Sequence, residues 1–298
     1  MSPRNNEDRL GAKQQAADAP VPSMTNPSSN EQPPPLNFVT PTEFVELPSG
    51  GEFYPEDHPL HMKDSVEVRH MTAKDEDILT SRTLLKKGIA LDRFLQNIII
   101  DRSIKVDDLL VGDKNAIIVA ARISGYGPDY TTKITCPSCT SAVNHTFDLN
   151  DNELITGESY KQLDAVTRTD MNTFLVKLPY TGIDVEVRLM NGHDEKSLIQ
   201  KQERAKKRNL PETFLTDQLR KIIVSANGDS SPKTINYLIE NMPAIDSRYL
   251  RQSFKVVAPN LDLTQTFSCS ECGFDTELEV PFSAEFFWPK SRIHGAGL

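Results

Sequence analysis

Two pairs of cysteines constrain this chain more than any other feature. The pairs are Cys136 with Cys139 and Cys269 with Cys272, and the sequence contains no other cysteine. Each pair has C-x-x-C spacing between strand-like flanks, TTKITCPSCTSAVNHTFDL around the first and LTQTFSCSECGFDTELEVPF around the second. Two cysteines on one tight turn can bind a tetrahedral metal ion from the same side, and two such turns complete a four-thiolate shell.

This spacing favours a zinc ribbon built from two distant knuckles. Zinc prefers tetrahedral thiolates, and a closed shell leaves no position for water or substrate, so we predict one structural zinc ion per chain. Gly273 suits the tight turn after the second pair, whereas Thr140 is a weaker match in the first. Cys139 and Cys269 lie 130 positions apart. The entropy of closing a loop grows only slowly with its length, so this gap is acceptable.

Other chemistries of four cysteines stay open at this point. Two disulfides are disfavoured in a cytoplasmic protein. A redox C-x-x-C pair is expected at a helix N-terminus within a βαβ unit, whereas these flanks are strand-like. An iron–sulfur cluster also uses four cysteines, and degenerate knuckles hold no metal.

The remaining pattern mixes short strands with helices, which predicts an α+β fold of small antiparallel sheets and packed helices. Thr72 and Asp75 have the spacing of a capping box, which places a helix start there. Before the first cysteine pair we predict strands at 44–47 and 64–71 and helices at 72–87, 91–100 and 113–124. Between the pairs we predict a hairpin at 174–190 and helices at 194–207, 212–224, 231–242 and 246–256.

Residues 1–36 are rich in Pro, Ser, Asn and Gln and poor in large apolar residues. Such a segment cannot bury enough apolar surface to offset the conformational entropy that it would lose on folding. Phe286, Phe287 and Trp288 form an aromatic end piece. We therefore predict a disordered arm at 1–36, a β-plus-helices domain at 37–135, a zinc ribbon from 136–149 and 261–282, a hairpin-and-helices insertion at 150–260, and an aromatic C-terminal tail at 283–298.

Charge and hydropathy narrow the classes of function. The 298 residues carry a net charge of −9, which argues against binding to phosphate backbones, and the basic run at 196–208 is typical of a charged helix face. No apolar run is long enough to cross a bilayer, and the N-terminus lacks the apolar region of a secretory signal. We expect a protein made and kept in a cytoplasm, or carried in a particle assembled there.

Nothing in the sequence has the pattern of an active site. Glycine-rich phosphate loops are absent. His58 and His61 are spaced like metal ligands but lie in a proline-containing loop, so we predict surface or packing roles for them. The acidic clusters at 75–77 and 107–108 suit helix starts. We predict that the protein is not an enzyme.

Four strings in this order resemble a known family: FVELPSGGEFYPEDHPLH, MTAKDEDILTSRTLLKKG, VDDLLVGDKNAIIVAARISGYG and ITCPSC. They are similar to the baseplate hub proteins of T-even-type and cyanophage contractile-tailed phages. The likeness is strong over 44–139, and through 282 it is mainly one of layout. The resemblance supplies no catalytic residues, and the case for zinc rests on the cysteine spacing alone.

The resemblance implies a structural or assembly component of the central hub of a contractile tail baseplate. Its implied partners are other baseplate and tail proteins within a symmetric multi-subunit assembly, with no nucleic acid and no membrane. Its implied location is the virion tail baseplate, after assembly in the host cytoplasm. Two rival functions are a zinc-ribbon nucleic-acid-binding module, disfavoured by the acidic total, and a baseplate-associated hydrolase, for which no acid pair has a convincing context.

Overall fold

The computed structural model describes residues 39–211, 213–281 and 284–287. The predicted arm at 1–36 and most of the predicted tail lie outside these residues, and the described residues from Thr40 onward form one unit. Short strands alternate with helices along it, which confirms the predicted α+β class. Within the described part of the chain, no helix is both long and apolar enough to cross a membrane.

Every strand pair in the described residues is antiparallel. The strands are β1 (Thr42–Glu46), β2 (Ser65–Arg69), β3 (Asp129–Thr135), β4 (Ala142–Asp148), β5 (Glu153–Ile155), β6 (Val166–Arg168), β7 (Phe174–Lys177), β8 (Asp184–Val187), β9 (Ile223–Ala226), β10 (Asn260–Asp262), β11 (Thr264–Ser268) and β12 (Asp275–Glu279). Strands β6 to β9 form a four-stranded sheet in chain order, and the others pair as β1–β2, β3–β4, β5–β10 and β11–β12. The predicted small antiparallel sheets are therefore confirmed.

Eight α-helices connect these strands in the described residues. They are α1 (Ala73–Thr80), α2 (Arg82–Lys86), α3 (Ala90–Ile98), α4 (Val111–Tyr126), α5 (Gly192–Lys207), α6 (Phe214–Ile222), α7 (Pro232–Asn241) and α8 (Ala244–Val257). Short 3-10 helices lie at Val106–Asp108, Glu158–Gln162 and Ala284–Phe287.

The first hydrophobic core gathers β1 to β4, α1, α3 and α4. The aromatic end piece closes it: the Phe286 ring meets Tyr130 edge-on at 5.0 Å, and the Phe287 ring meets Phe94 at 5.4 Å. The buried Arg122 donates from Nε to the carbonyl oxygen of Phe286 at 2.6 Å. The two phenylalanines therefore pack into the core, while Trp288 lies outside the described residues.

The predicted single helix at 72–87 is two helices, because Ser81 takes an extended conformation with φ −62° and ψ 108°. Thr80, Ser81 and Thr83 are weak helix formers, since their hydroxyl side chains compete for backbone hydrogen bonds. Leu79 is buried before the break, and Leu85 after it is 46% exposed. The capping box itself is present: the carboxylate of Asp75 accepts from the backbone N–H of Thr72 at 2.8 Å.

A second hydrophobic core lies on one face of the four-stranded sheet, covered by α6, α7 and α8. The predicted helix at 212–224 ends at Ile222, and the chain continues directly into β9. Ile223 and Val224 are β-branched and favour strand conformation, and β9 pairs with β8 across a register shift at Glu186 and Val187. The helix prediction was wrong at this end because pairing with β8 outweighed the helical periodicity.

Close packing at Gly112 brings the chain that leads into β10 against the start of α4. A Cβ at Gly112 would lie 1.9 Å from the carbonyl oxygen of Pro259, so only glycine lets the start of α4 approach the chain that leads into β10. Strand β10 pairs with β5, which follows β4 closely. The chain beyond α8 therefore returns to the base of the β3–β4 hairpin and continues into β11.

Candidate metal centre

The two cysteine pairs occupy the turns of two hairpins with the same backbone geometry. In the β3–β4 turn, the Cys136 N–H donates to the Ser141 carbonyl at 2.9 Å, and the Thr140 N–H donates back to the Cys136 carbonyl at 2.9 Å. In the β11–β12 turn, the Cys269 N–H donates to the Phe274 carbonyl at 3.0 Å, and the Gly273 N–H donates to the Cys269 carbonyl at 2.9 Å. Equivalent hydrogen bonds in equivalent places make the turns two copies of one knuckle.

The residue after each pair adopts a left-handed backbone conformation. Gly273 has φ 69°, and Thr140 has φ 60°. Glycine takes this conformation without steric cost, whereas it is an outlier for a β-branched residue such as threonine. Thr140 is thus the weaker match that its sequence suggests, and the first knuckle keeps the geometry despite it.

The four predicted ligands converge on one point. Cys136 Sγ lies 3.8 Å from Cys272 Sγ, and Cys139 Sγ lies 3.8 Å from Cys269 Sγ. All four sulfurs lie within 4.8 Å of one another. A tetrahedron with metal–sulfur bonds of about 2.3 Å has sulfur–sulfur edges of about 3.8 Å. The four cysteines are therefore close enough to hold a metal ion, and no other such cluster occurs among residues that the structure describes.

The thiols interact strongly with one another. Hydrogen bonds from Ser141, first from its side chain and then from its backbone, lower the pKa of the Cys139 thiol to about 6. At Cys272, the Phe274 backbone N–H lowers the pKa, but desolvation and the neighbouring thiols raise it to about 12. Negative charges this close disfavour one another, so four thiolates can coexist here only when a cation neutralises them.

Little apolar material surrounds the cluster. Its buried residues are Cys136, Val143, Phe267 and Cys269. The ring of His145 bridges the hairpins at one side, because its edge contacts with Phe147 on β4 and Phe267 on β11 measure 4.5 and 5.2 Å. Both hairpins thus contribute to one small core next to the sulfurs.

Gln265 joins the two hairpins at the end opposite the cysteines. Its Nε2 donates to the carbonyl oxygens of Asp148 at 2.6 Å and Asp151 at 3.1 Å. Its Oε1 accepts from the Asp148 backbone N–H at 3.1 Å. The sequence analysis did not predict this role of Gln265. Its only feature in the sequence that could have indicated the role is a long amide side chain at the second position of a strand.

The flanks of the cysteine pairs argue against redox chemistry at this site. No disulfide joins any of the four cysteines. Strand β3 leads into the first pair and β11 into the second, and each knuckle is followed by its partner strand. A thioredoxin-like pair requires a helix N-terminus that lowers the pKa of a thiol, and neither knuckle has one.

The histidines flagged by the HPLH spacing pack around Tyr54. The ring of His58 stacks on the Tyr54 ring with centroids 4.3 Å apart, and His61 Nδ1 lies 2.8 Å from the Tyr54 carbonyl oxygen.

The acidic cluster at 107–108 lies in a 3-10 helix and also contacts α5. Asp107 pairs with Lys196 at 3.1 Å, and Asp108 contacts His193 at 3.0 Å.

Sequence reasoning also missed a buried network around Asp113. One carboxylate oxygen accepts from the Ser49 N–H at 3.0 Å, and the other accepts from the hydroxyls of Ser49 at 2.6 Å and Tyr54 at 2.7 Å. Burial raises the pKa of Asp113, and burial together with the Asp113 charge raises that of Tyr54. This network ties the loop after β1 to the first turn of α4, which gives the string ELPSGGEFY a structural role.

Comparison with known proteins places the chain in a family. Residues 40–288 match the family model described as T4 bacteriophage base plate protein. No curated protein and no solved structure matched the chain. The match covers all the elements described above, including both knuckles and the groups that join them. The chain belongs to the family of T4 bacteriophage base plate proteins.

Proposed function

We propose that this chain is a structural or assembly component of the central hub of a contractile phage tail baseplate, and that it acts through protein–protein contacts. The observation that carries the proposal is the family match over residues 40–288. The likeness of residues 44–139 to baseplate hub proteins supports the hub as the part of the baseplate concerned.

The buried carboxylates support a role without catalysis, because each holds structural elements together. Asp75 pairs with Arg69 at 2.6 Å, and Asp246 accepts from the backbone N–H groups of Tyr180 and Thr181 at 2.9 and 3.0 Å. Asp113 forms the network described above. Such carboxylates are satisfied by the fold itself and have no hydrogen-bonding capacity set aside for a substrate.

We further propose that the four cysteines hold one zinc ion. A shell of four thiolates matches the preference of zinc for sulfur ligands in tetrahedral geometry. With every position filled by protein, the ion would supply folding energy rather than Lewis-acid chemistry. It would close the neck of the segment between the knuckles and orient the ribbon for contact with neighbouring subunits.

In this proposal the chain lies in the virion tail baseplate or in the hub intermediate from which the baseplate is built. Its partners are other tail proteins arranged in a symmetric assembly. Assembly takes place in the host cytoplasm, where reducing conditions keep the four thiols available for metal.

Quantitative mass spectrometry of isolated hub intermediates and mature tails tests this function. We expect the chain in the hub intermediates at a fixed ratio to other hub proteins, with the capsid protein as a negative control. Absence of the chain from both hub intermediates and mature tails would contradict the proposal. Digestion of cell-wall material by the purified protein would contradict the non-enzymatic part.

A further inference from the structure

An apolar groove of about 560 Å³ lies between α5, α6 and α8. Its floor is formed by the start of α4 and the chain around residues 189–190 and 258–260. The lining residues of α5 are spaced three and four positions apart, about one helical turn, so the same face of the helix borders the groove along its length. The residues that helices contribute to the walls are Glu195, Leu198, Ile199 and Gln202 on α5, Phe214, Leu215, Gln218 and Ile222 on α6, and Arg251, Phe254 and Lys255 on α8.

Three of these wall residues are large apolar side chains left open to solvent. Ile199 is 46% exposed, Phe214 is 43% exposed and Leu215 is 49% exposed. Scattered apolar residues on a surface need no explanation, but a group that lines one concave groove is typical of a binding surface.

The groove carries positive charge in an acidic protein. Arg251 and Lys255 lie on its wall, and neither forms a salt bridge with a carboxylate among the residues that the structure describes. The acid that lines the groove, Glu195, is already paired with Lys114 at 2.8 Å. The net charge of the whole chain is −9, so this local positive charge favours an acidic occupant.

We propose that this groove binds an amphipathic helix of another baseplate protein. The apolar face of that helix fills the groove, and its acidic residues meet Arg251 and Lys255. Helices recognise such grooves with apolar side chains spaced three and four residues apart, which interdigitate with the ridges of the walls. The inference rests on the proposed function, because it names the kind of partner that assembly requires.

Charge and composition argue against the two ends of this chain, and against a second copy of it, as the occupant of the groove. Residues 288–298 contain Lys290 and Arg292 and no acid, so they carry the same sign as the groove wall. Residues 1–38 contain three basic and four acidic residues and seven prolines, which disfavour a continuous amphipathic helix. A second copy of the chain brings a net charge of −9 against another −9, which opposes close association.

Site-specific photocrosslinking in the full-length chain tests the proposal during tail assembly. Benzoylphenylalanine replaces Leu215 in the groove or, as a control, Tyr237 on α7, which is 69% exposed and does not line the groove. We expect the Leu215 position to crosslink to an acidic, amphipathic segment of another baseplate protein, identified by peptide mass spectrometry. Crosslinks to residues 1–38 or 288–298, to a second copy, or to nothing would overturn the proposal.

The same experiment separates the groove from the proposed function. If neither labelled chain enters hub complexes although circular dichroism shows both folded, the proposed function fails and the groove proposal fails with it. If both labelled chains enter hub complexes and the Leu215 position captures no other baseplate protein, the groove proposal alone fails.

Charge reversal provides a second test with a peptide of the crosslinked sequence. We expect the double variant Arg251→Glu, Lys255→Glu to weaken binding by more than about tenfold, because it places like charges opposite one another across the interface. The matched control is Arg248→Glu, an exposed position on the same helix outside the groove. An equal loss in this control, or no loss in the double variant, would overturn the proposal.

Discussion

Two regions of this protein are held together in different ways. One is the first hydrophobic core, and the other is the ribbon, which here means the two cysteine hairpins β3–β4 and β11–β12. The first core buries 27 apolar residues from strands, helices and the aromatic end piece within the described chain. The core beside the four cysteines buries four residues, and two of them are cysteines. Both regions contain short antiparallel strand pairs, and the difference is that helices pack against the strands of the first core.

This comparison supports the proposal that a metal ion at the four sulfurs stabilises the ribbon. Beside the sulfurs, Val143 and Phe267 are the buried apolar side chains other than cysteine among the described residues. The opposite ends of β3 and β4 are anchored in the first core by Tyr130 and Phe147. We therefore expect loss of the metal ligands to melt the ribbon first.

The largest expected effect follows from Cys136→Ser. It removes one of four ligands, and we expect the free energy of unfolding to fall by about 4 kcal/mol or more, as for other losses of a structural metal. Hydrogen exchange should show lost protection at the cysteine ends of β3, β4, β11 and β12. Protection should be retained in α4 and near Tyr130 and Phe147, which are buried in the first core. The control is Ser270→Ala, an exposed position inside the second knuckle.

A double-mutant cycle sharpens that prediction. Cys136→Ser and Cys269→Ser together should cost little more than either alone, because the first substitution already releases the metal. Additive losses would contradict a shared ion.

In the first core, we expect the largest loss of stability when the ion pair between Asp75 and Arg69 is broken. The side chain of Asp75 is fully buried, and hydrogen bonds from Arg69, Thr72 and Asn97 outweigh its burial and lower its pKa to about 2 from its ordinary 3.8. A lowered carboxyl pKa stabilises the fold above about pH 4, and this contribution is lost as the pH falls toward 2. Asp75→Asn should therefore cost about 2 kcal/mol at pH 7 in urea denaturation.

The exposed Asp77→Asn provides the matched control for Asp75→Asn. It should cost almost nothing at any pH. The wild-type advantage over Asp75→Asn should shrink between about pH 4 and pH 2. An advantage that stays constant through this range would show that the carboxyl charge of Asp75 is not the stabilising feature.

The two knuckles should differ at their left-handed positions. In Gly273→Thr, a side chain must adopt φ near 69°, and no atom lies within 4 Å of the added Cβ, so the Cβ itself meets no clash and the main cost is one of backbone conformation. We expect a loss of about 1–2 kcal/mol with the zinc-loaded protein in thermal denaturation. A neutral result would mean that the second knuckle does not require this conformation.

The reciprocal change, Thr140→Gly, should have the smallest effect. It relieves the left-handed threonine at φ 60°, but glycine gains freedom in the unfolded chain, so the net gain should be under about 1 kcal/mol. Destabilisation instead would indicate that the threonine side chain contributes a contact that outweighs its strain.

Local patterns in the sequence predicted local structure well. The knuckles follow from C-x-x-C spacing between alternating stretches, and the capping box at Thr72 follows from an acid three residues later. The hairpin of β7 and β8 follows from alternation around Pro179 and Gly182. In each case the interacting groups lie within a few residues of one another, so their spacing carries the information.

Features that depend on distant partners were not predictable in the same way. Gln265 binds backbone atoms 117 positions away at Asp148, and the sequence does not mark that pairing. Strand β9 continues a helical pattern and becomes a strand only because β8 lies beside it. The groove between α5, α6 and α8 exists only after three helices pack, although the apolar spacing on each helix could be read from the sequence.

The metal content of the full-length protein shows whether the four cysteines hold zinc. The protein is purified without added metal under reducing conditions, and inductively coupled plasma mass spectrometry measures every transition metal per chain. We expect about one zinc ion per wild-type chain and none in Cys136→Ser, with the Ser270→Ala control unchanged. A wild-type chain whose ribbon is folded with no bound metal, or with disulfides between these cysteines, would contradict this expectation.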